Sequence, residues 1–195
     1  MSEPHELPLF PLGTVLLPGG PLALRVFEPR YLDMVARCLR GDNRFGVVAI
    51  REGAEVGAAT PYEIGTSAEI VDWQREKSGL LMIVAHGRDA FRAPQTRRQD
   101  DGLYVGTVEW LEPLPPVELP SVYAPLAALL RQLVDALPLY RALHPKFDDA
   151  VWVGSRLIEL LPLALHAKQA LLEMRDALAR LEQLAAVLRS SQVTS

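Results

Sequence analysis

Four consecutive residues, Glu28-Pro29-Arg30-Tyr31, set two opposite charges inside the most apolar part of the N-terminal half. Charges among bulky apolar neighbours are normally paired. This carboxylate and guanidinium therefore either form an internal ion pair, the favoured reading, or face a ligand. Glu28, Arg30 and Tyr31 are the candidate ligand-binding residues. Other chemistry is sparse. His5, His86, His144 and His166 are scattered, without the paired spacing of a metal site. No G-x-S-x-G nucleophile turn is present, and no glycine is followed by lysine, so a phosphate-binding G-x-x-x-x-G-K-[ST] loop is absent. The single cysteine, Cys38, excludes an intrachain disulfide and a multi-cysteine metal site. No catalytic residue, metal or cofactor is expected. An enzyme with a non-contiguous site stays as an alternative, because such groups meet only in three dimensions.

The elements that must position these residues begin with Leu7–Met34. Pro8 and Pro11 lack a backbone donor, so the first segment is expected as two short extended pieces, Leu7–Phe10 and Val15–Leu17, on or near a sheet edge. Pro18-Gly19-Gly20-Pro21 reads as a tight turn. Leu22, Leu24 and Val26 alternate with Ala23 and Arg25, the period of a half-buried strand. A helix is expected over Pro29–Leu39, capped by Glu28 or its predecessor, with Pro29 at the first helical position and Gly41 as the stop. Cys38 lies on its apolar face as a small buried residue.

Residues 44–112 read as β-rich. Strands are expected at Phe45–Ile50, Ile64–Trp73, Leu80–Ala85 with a bulged continuation over Ala90–Ala93, and Leu103–Leu111, with loops at 53–61, 74–79 and 95–102. Short strands joined by turns suggest a partly closed barrel. Glu112-Pro113-Leu114-Pro115-Pro116 with Pro120 is a stiff connector, after which the period changes to about 3.6. Three helices follow: about Val122–Ala136, Asp148 or Asp149 through Leu161, and about Leu165–Ser190. Leu171, Met174, Leu178, Leu181, Ala185 and Leu188 form an apolar seam on the last. Its favoured use is internal packing; the alternative is self-association through the last helix. The whole chain thus reads as a single α+β domain, with a β-rich lobe over about 7–112, a connector over 113–120 and a helical lobe over about 121–190.

With 49% apolar and 23% charged residues, the 195-residue chain has the composition of a globular protein. No apolar run approaches the ~20 residues of a membrane span, so no membrane contact is expected. The N-terminus lacks a basic region followed by an apolar core, so the chain is read as cytoplasmic. Residues 1–116 carry 12 basic and 16 acidic groups and the remainder 8 of each, so neither part is a basic nucleic-acid footprint.

LPLFPLGTVLLPGGPLALRVFEPRYLDMV resembles the opening of the Lon protease N-terminal domain, the LON substrate-binding domain. Its FEPRY form is closer to small stand-alone bacterial members. The likeness continues in Arg44–Val48, Glu63–Ile70 and Lys168–Glu173, in the family's order. The resemblance implies a PUA-like pseudo-barrel β lobe followed by the helical lobe. It also implies a protein- or peptide-recognition role toward exposed apolar or unfolded segments. A groove between the lobes is the physical candidate for the binding surface, and exposed strand edges, including the Pro-broken first segment, are a second. The family's ATPase and Ser-Lys protease signatures are not found; Lys77, Lys146 and Lys168 lie in no such motif. A non-catalytic module is therefore expected. Some PUA domains bind RNA, and Arg88, Arg92, Arg97 and Arg98 near Tyr104 and Trp110 offer some positive charge. The acidic balance makes a solvated hairpin face the expectation there and RNA a disfavoured partner, with a PUA-like RNA-binding protein kept as the alternative function.

Overall fold

The computed structural model describes residues 5–77 and 79–193. The chain divides into two compact units, with the boundary between Glu112 and Pro113. The first contains β1 (His5–Leu12), β2 (Pro21–Val26), α1 (Pro29–Cys38), β3 (Arg44–Gly53), β4 (Ala59–Arg75), β5 (Leu81–Arg98) and β6 (Tyr104–Trp110). The sheet order is β2-β5-β4-β3-β1-β6, and β5 pairs with β6 as well. Five strands therefore close into a ring, and β2 is attached outside it along the first half of β5. Among the described strands only β1 and β3 run parallel.

This corrects the expectation for the first segment. β1 is one continuous strand with neighbours on both sides, not two pieces at an edge. Its residues His5–Leu9 pair with β6 and Leu9–Leu12 pair with β3. Pro8 lies outside the β3 register and Pro11 outside the β6 register, so the ladder does not need a donor from both flanks of either ring. Val15–Leu17 is irregular, though buried. The expected loop at 95–102 is also shortened. Gln95–Arg98 continues β5 and pairs with Thr107, Gly106, Val105 and Tyr104 of β6. Polar side chains on a solvent-facing ladder hide a strand from a hydrophobicity reading. The bulge expected near Arg88 is present: Thr66 and Ala68 of β4 oppose Ala90 and Gly87 of β5, leaving an extra residue on β5.

Phe91 fills the ring's interior and is fully buried with Leu7, Leu9 and Val48 around it. Gly46 makes room for it. A β-carbon there would lie 2.6 Å from Leu9 Cδ2 and 2.8 Å from Phe91 Cζ. A larger apolar cluster forms where Tyr31, Met34, Val35 and Cys38 of α1 pack on Phe10, Phe45 and Ile83.

The second unit holds a 3-10 turn (Ser121–Tyr123), α2 (Ala124–Ala136), α3 (Pro138–Arg141), α4 (Ala150–Leu160), α5 (Leu165–Glu173) and α6 (Ala177–Val193). Asp149 caps α4, its carboxylate accepting from Val151 N at 2.9 Å. The expected third helix is interrupted at 174–176. Asp176 accepts from Leu178 N and Ala179 N at 2.9 and 3.0 Å and so starts a new helix. Arg180 donates to the Leu172 carbonyl at 2.8 Å and ties off the old one. The break resets the helical phase. Ala177, Leu181 and Leu184 are buried, whereas Leu178 of the expected seam is 39% exposed. Among the described residues no helix is long and apolar enough to cross a membrane.

Candidate functional site: an apolar pocket beside Glu28

β2 ends at Val26, and Glu28 takes the N-cap position of α1 with extended backbone and Pro29 behind it. Proline fits there because that N–H has no helical partner. The Glu28 side chain makes no cap hydrogen bond. It turns to Arg30 instead, with Oε2 2.8 Å from Nη2 and 3.0 Å from Nε. Arg30 is buried, and it also donates from Nη1 to the Gly102 carbonyl at 2.9 Å and from Nη2 to the Glu55 carbonyl at 3.3 Å. One guanidinium thus fastens the start of α1 to the turn after β5 and to the loop between β3 and β4. Its central carbon stands 4.6 Å from the Tyr31 ring centroid, within cation–π range. Tyr31 stacks on Phe10 with centroids 3.8 Å apart. Burial pushes the Tyr31 phenol up to about 12, with Arg30 opposing the shift.

A pocket of about 310 Å³ opens beside this cluster. Phe10, Leu12, Val26 and Tyr31 are its buried apolar floor, and Leu24 is half-buried against them. Phe27 and Val56 line its mouth at 61% and 68% exposure. Glu28 and Glu55 supply carboxylates and Arg25 a cation. Glu55 also fixes its loop, accepting from Gly13 N through Oε1 at 2.6 Å. The structure therefore brings Glu28 and Tyr31 to the pocket wall. Arg30 is not among the lining residues and is committed to Glu28 and to backbone carbonyls.

Sequence reasoning missed Phe27, Val56 and Glu55. Phe27 had a signal: in the alternation of β2 it falls in phase with exposed Ala23 and Arg25, not with Leu24 and Val26. Val56 is a lone bulky apolar residue in a polar stretch between Gly53 and Gly57.

The other candidates are placed apart from this pocket's lining. Cys38 is buried, donates to the Arg44 carbonyl at 3.1 Å, and its thiol is pushed up to about 11 by burial. A thiol so held protonated is a poor nucleophile. Arg88, Arg92 and Arg97 each face a carboxylate, on Glu69, Glu63 and Glu6 at 2.6, 3.0 and 3.0 Å. Arg98 turns back toward the Gly102 carbonyl at 3.4 Å. Among the described residues no group of three or more His, Cys, Asp or Glu is arranged to hold a metal ion.

Comparison with known proteins agrees on the family. The model of the ATP-dependent protease La (LON) substrate-binding domain matches residues 6–190. A crystal structure of a Lon N-terminal domain protein from Xanthomonas campestris is 41% identical, with a TM-score of 0.77, and covers 93% of this chain and 98% of its own. The N-terminal domain of a Mycobacterium avium complex Lon protease shares the fold, with a TM-score of 0.61 at 17% identity over 92% of this chain and 96% of its own. Lon protease of Escherichia coli K12 is 25% identical over 97% of this chain and 25% of its own length. Cereblon of Danio rerio is 35% identical over 55% of this chain and 26% of its own. The chain thus spans about a quarter of the length of these two relatives. On the match over residues 6–190, the chain belongs to the ATP-dependent protease La (LON) substrate-binding domain family.

Proposed function

We propose that this chain is a non-catalytic recognition module for exposed or unfolded protein segments, acting in a bacterial cytoplasm without metal or cofactor. The observation that carries the reading is the pocket at the end of β2. In a family whose model is described as substrate-binding, an apolar floor is reached past two exposed apolar side chains, Phe27 and Val56. Large apolar groups are left in water at a cost, and their clustering at a pocket mouth marks interaction sites. Glu28 and Tyr31 form the wall, and Arg30 is the positioning residue that holds α1 and the 54–58 loop around it.

The test is fluorescence anisotropy with reduced, carboxymethylated lactalbumin, a permanently unfolded protein, against its native folded form. The intact protein is expected to bind the unfolded form only. A Phe27→Asp/Val56→Asp double variant, changed at exposed positions alone, is expected to bind at least tenfold more weakly. Absence of binding by the unmodified protein, or equal binding by the variant, overturns the reading.

A further inference from the structure

Among the described residues, the pocket lies against the one strand of the sheet that pairs with a single other strand. β1, β3, β4, β5 and β6 each pair with two strands of the ring among the described residues, though not along their whole lengths, whereas β2 pairs with β5 alone. Which backbone groups of β2 face outward follows from the ladder. Gly87 N donates to the Gly20 carbonyl at 2.8 Å, so residue 20 faces β5. The antiparallel register then runs Leu22↔Ala85, Leu24↔Ile83 and Val26↔Leu81, and alternation turns these even-numbered residues toward β5 as well. The N–H and C=O groups of Ala23 and Arg25 therefore point away from the sheet, and both residues are exposed. Pro21 shares that phase, so its missing donor costs the ladder nothing.

The same residues line the pocket. Ala23, Leu24, Arg25 and Val26 form its β2 side, and the loop carrying Glu55 and Val56 forms the other. A strand laid along the outer edge of β2 would extend the sheet. Its side chains in phase with Leu24 and Val26 would then enter the space above Phe10, Leu12 and Tyr31. Its alternate side chains would stand with Ala23, Arg25 and Phe27.

We infer that this site takes its protein ligand by strand addition: an extended segment hydrogen-bonds to Ala23 and Arg25 on the free edge of β2 and places an aliphatic or aromatic side chain in the pocket. This rests on the recognition reading above and specifies its geometry. Backbone pairing supplies affinity without regard to sequence, and the pocket selects for one apolar side chain at alternate positions. A segment with proline at a pairing position is rejected, as is a folded protein with no exposed strand. The chemistry suits a module that must accept many unfolded chains.

The experiment uses the intact protein and a fluorescein-labelled peptide with leucines at alternate positions and lysines at both ends. Two further peptides carry backbone N-methyl groups, one on the leucines and one on the residues between them. Strand addition predicts that one N-methyl series loses at least tenfold in affinity while the other binds as the parent does. It also predicts that peptide slows hydrogen exchange at the Ala23 and Arg25 amides, read by NMR. Ala23→Pro removes an outward donor that the folded sheet does not use, and should weaken binding to a similar extent. Equal effects of both N-methyl series, with no protection at Ala23 and Arg25, overturn strand addition. If Phe27→Asp still abolishes binding in that case, the recognition reading survives alone. Protection of the two amides without peptide, rising with protein concentration, would name a second copy as the occupant and overturn the inference. No binding of either the peptide or unfolded lactalbumin would overturn both.

Discussion

Each unit buries one arginine against a nearby glutamate, and the two pairs do different work. In the β unit, Arg30 meets Glu28 two residues earlier, and Glu28 keeps 22% of its side chain in water at the wall of an open pocket. In the helical unit, Arg156 meets Glu159 one helical turn later, with Nε 2.8 Å from Oε2 and side-chain exposures of 0% and 4%. Tyr140 adds its hydroxyl to the same carboxylate at 3.2 Å, and Lys168 donates to the Glu159 carbonyl at 2.8 Å. The second pair is sealed and serves packing. The first is half-open and holds loops around a cavity. Only in the first pair does one partner keep contact with water beside exposed apolar groups, the feature on which the proposed recognition role rests.

The largest effect should come from breaking the sealed pair. Glu159→Ala leaves the Arg156 charge without its carboxylate, a change worth about 3–5 kcal/mol at buried pairs. The double change Arg156→Met/Glu159→Leu should recover most of that loss, because apolar residues of similar volume replace a buried pair at little cost. Trp152 sits in α4, and the other tryptophans, Trp73 and Trp110, lie in the β unit. Urea denaturation followed by Trp152 fluorescence in a Trp73→Phe/Trp110→Phe background therefore reads the helical unit directly. A small loss in Glu159→Ala would mean that the sealed pair is no more important than the open one.

Alkaline pH should weaken the β unit, whereas in the helical unit the loss through Tyr140 is opposed by Lys168, which burial holds below its ordinary value. Burial raises Tyr31 from 10.0 to about 12 and Cys38 from 9.0 to about 11. The Tyr140 phenol is raised further, first by burial and then by the facing Glu159 carboxylate. Each group holds its proton more tightly when folded than when unfolded. Its stabilising contribution is complete below the unfolded value and is lost as pH rises through the folded one. For Cys38 and Tyr31 the window is therefore pH 9 to 12, and each group accounts for about 2–3 kcal/mol across it. Tyr31→Phe keeps the stack on Phe10 and should flatten the alkaline fall of the β unit. Tyr140→Phe should do so for the helical unit. Stability measured against pH in the two variants separates the regions.

The open pair was legible in the sequence and the sealed one was not, for physical reasons. Glu28-Pro29-Arg30 interrupts an apolar run, and helix-start rules act over a few residues, so the cap and the first turn of α1 follow from local chemistry alone. Arg156 stands in a helix whose polar positions are expected outside, and nothing local announces that it faces inward. The placement of β1 depended on which flank of Pro8 and Pro11 met a partner, a long-range fact. Gln95–Arg98 became a strand because β6 arrived beside it. The break before α6 did have a local sign, since Asp176 is a good cap, but no glycine or proline drew notice to it. The family blocks read from the sequence lie within the matched residues 6–190, while Phe27 and Val56 meet beside Glu28 only in three dimensions.

Within the open region, Arg30→Ala should cost less than breaking the sealed pair, about 1.5–3 kcal/mol as expected for lost hydrogen bonds to a charged group. Glu28 can hydrate at the pocket wall, whereas Arg156 is held away from water. The loss should be accompanied by faster hydrogen exchange in the 54–58 loop, whose Glu55 carbonyl Arg30 holds.

Phe27→Ser is expected to change stability least, within about 0.5 kcal/mol, because an exposed side chain carries little packing. Its effect on ligand is expected to be the reverse, at least a tenfold loss of affinity for the unfolded probe. Arg30→Ala, by contrast, should lower stability and affinity together, since it loosens the wall without touching the mouth. The two variants separate a group that holds the site from a group that meets the ligand. Stability and affinity falling in proportion in both would mean that Phe27 acts only through the fold, and the contrast between an open pair that serves a site and a sealed pair that serves packing would lose its basis.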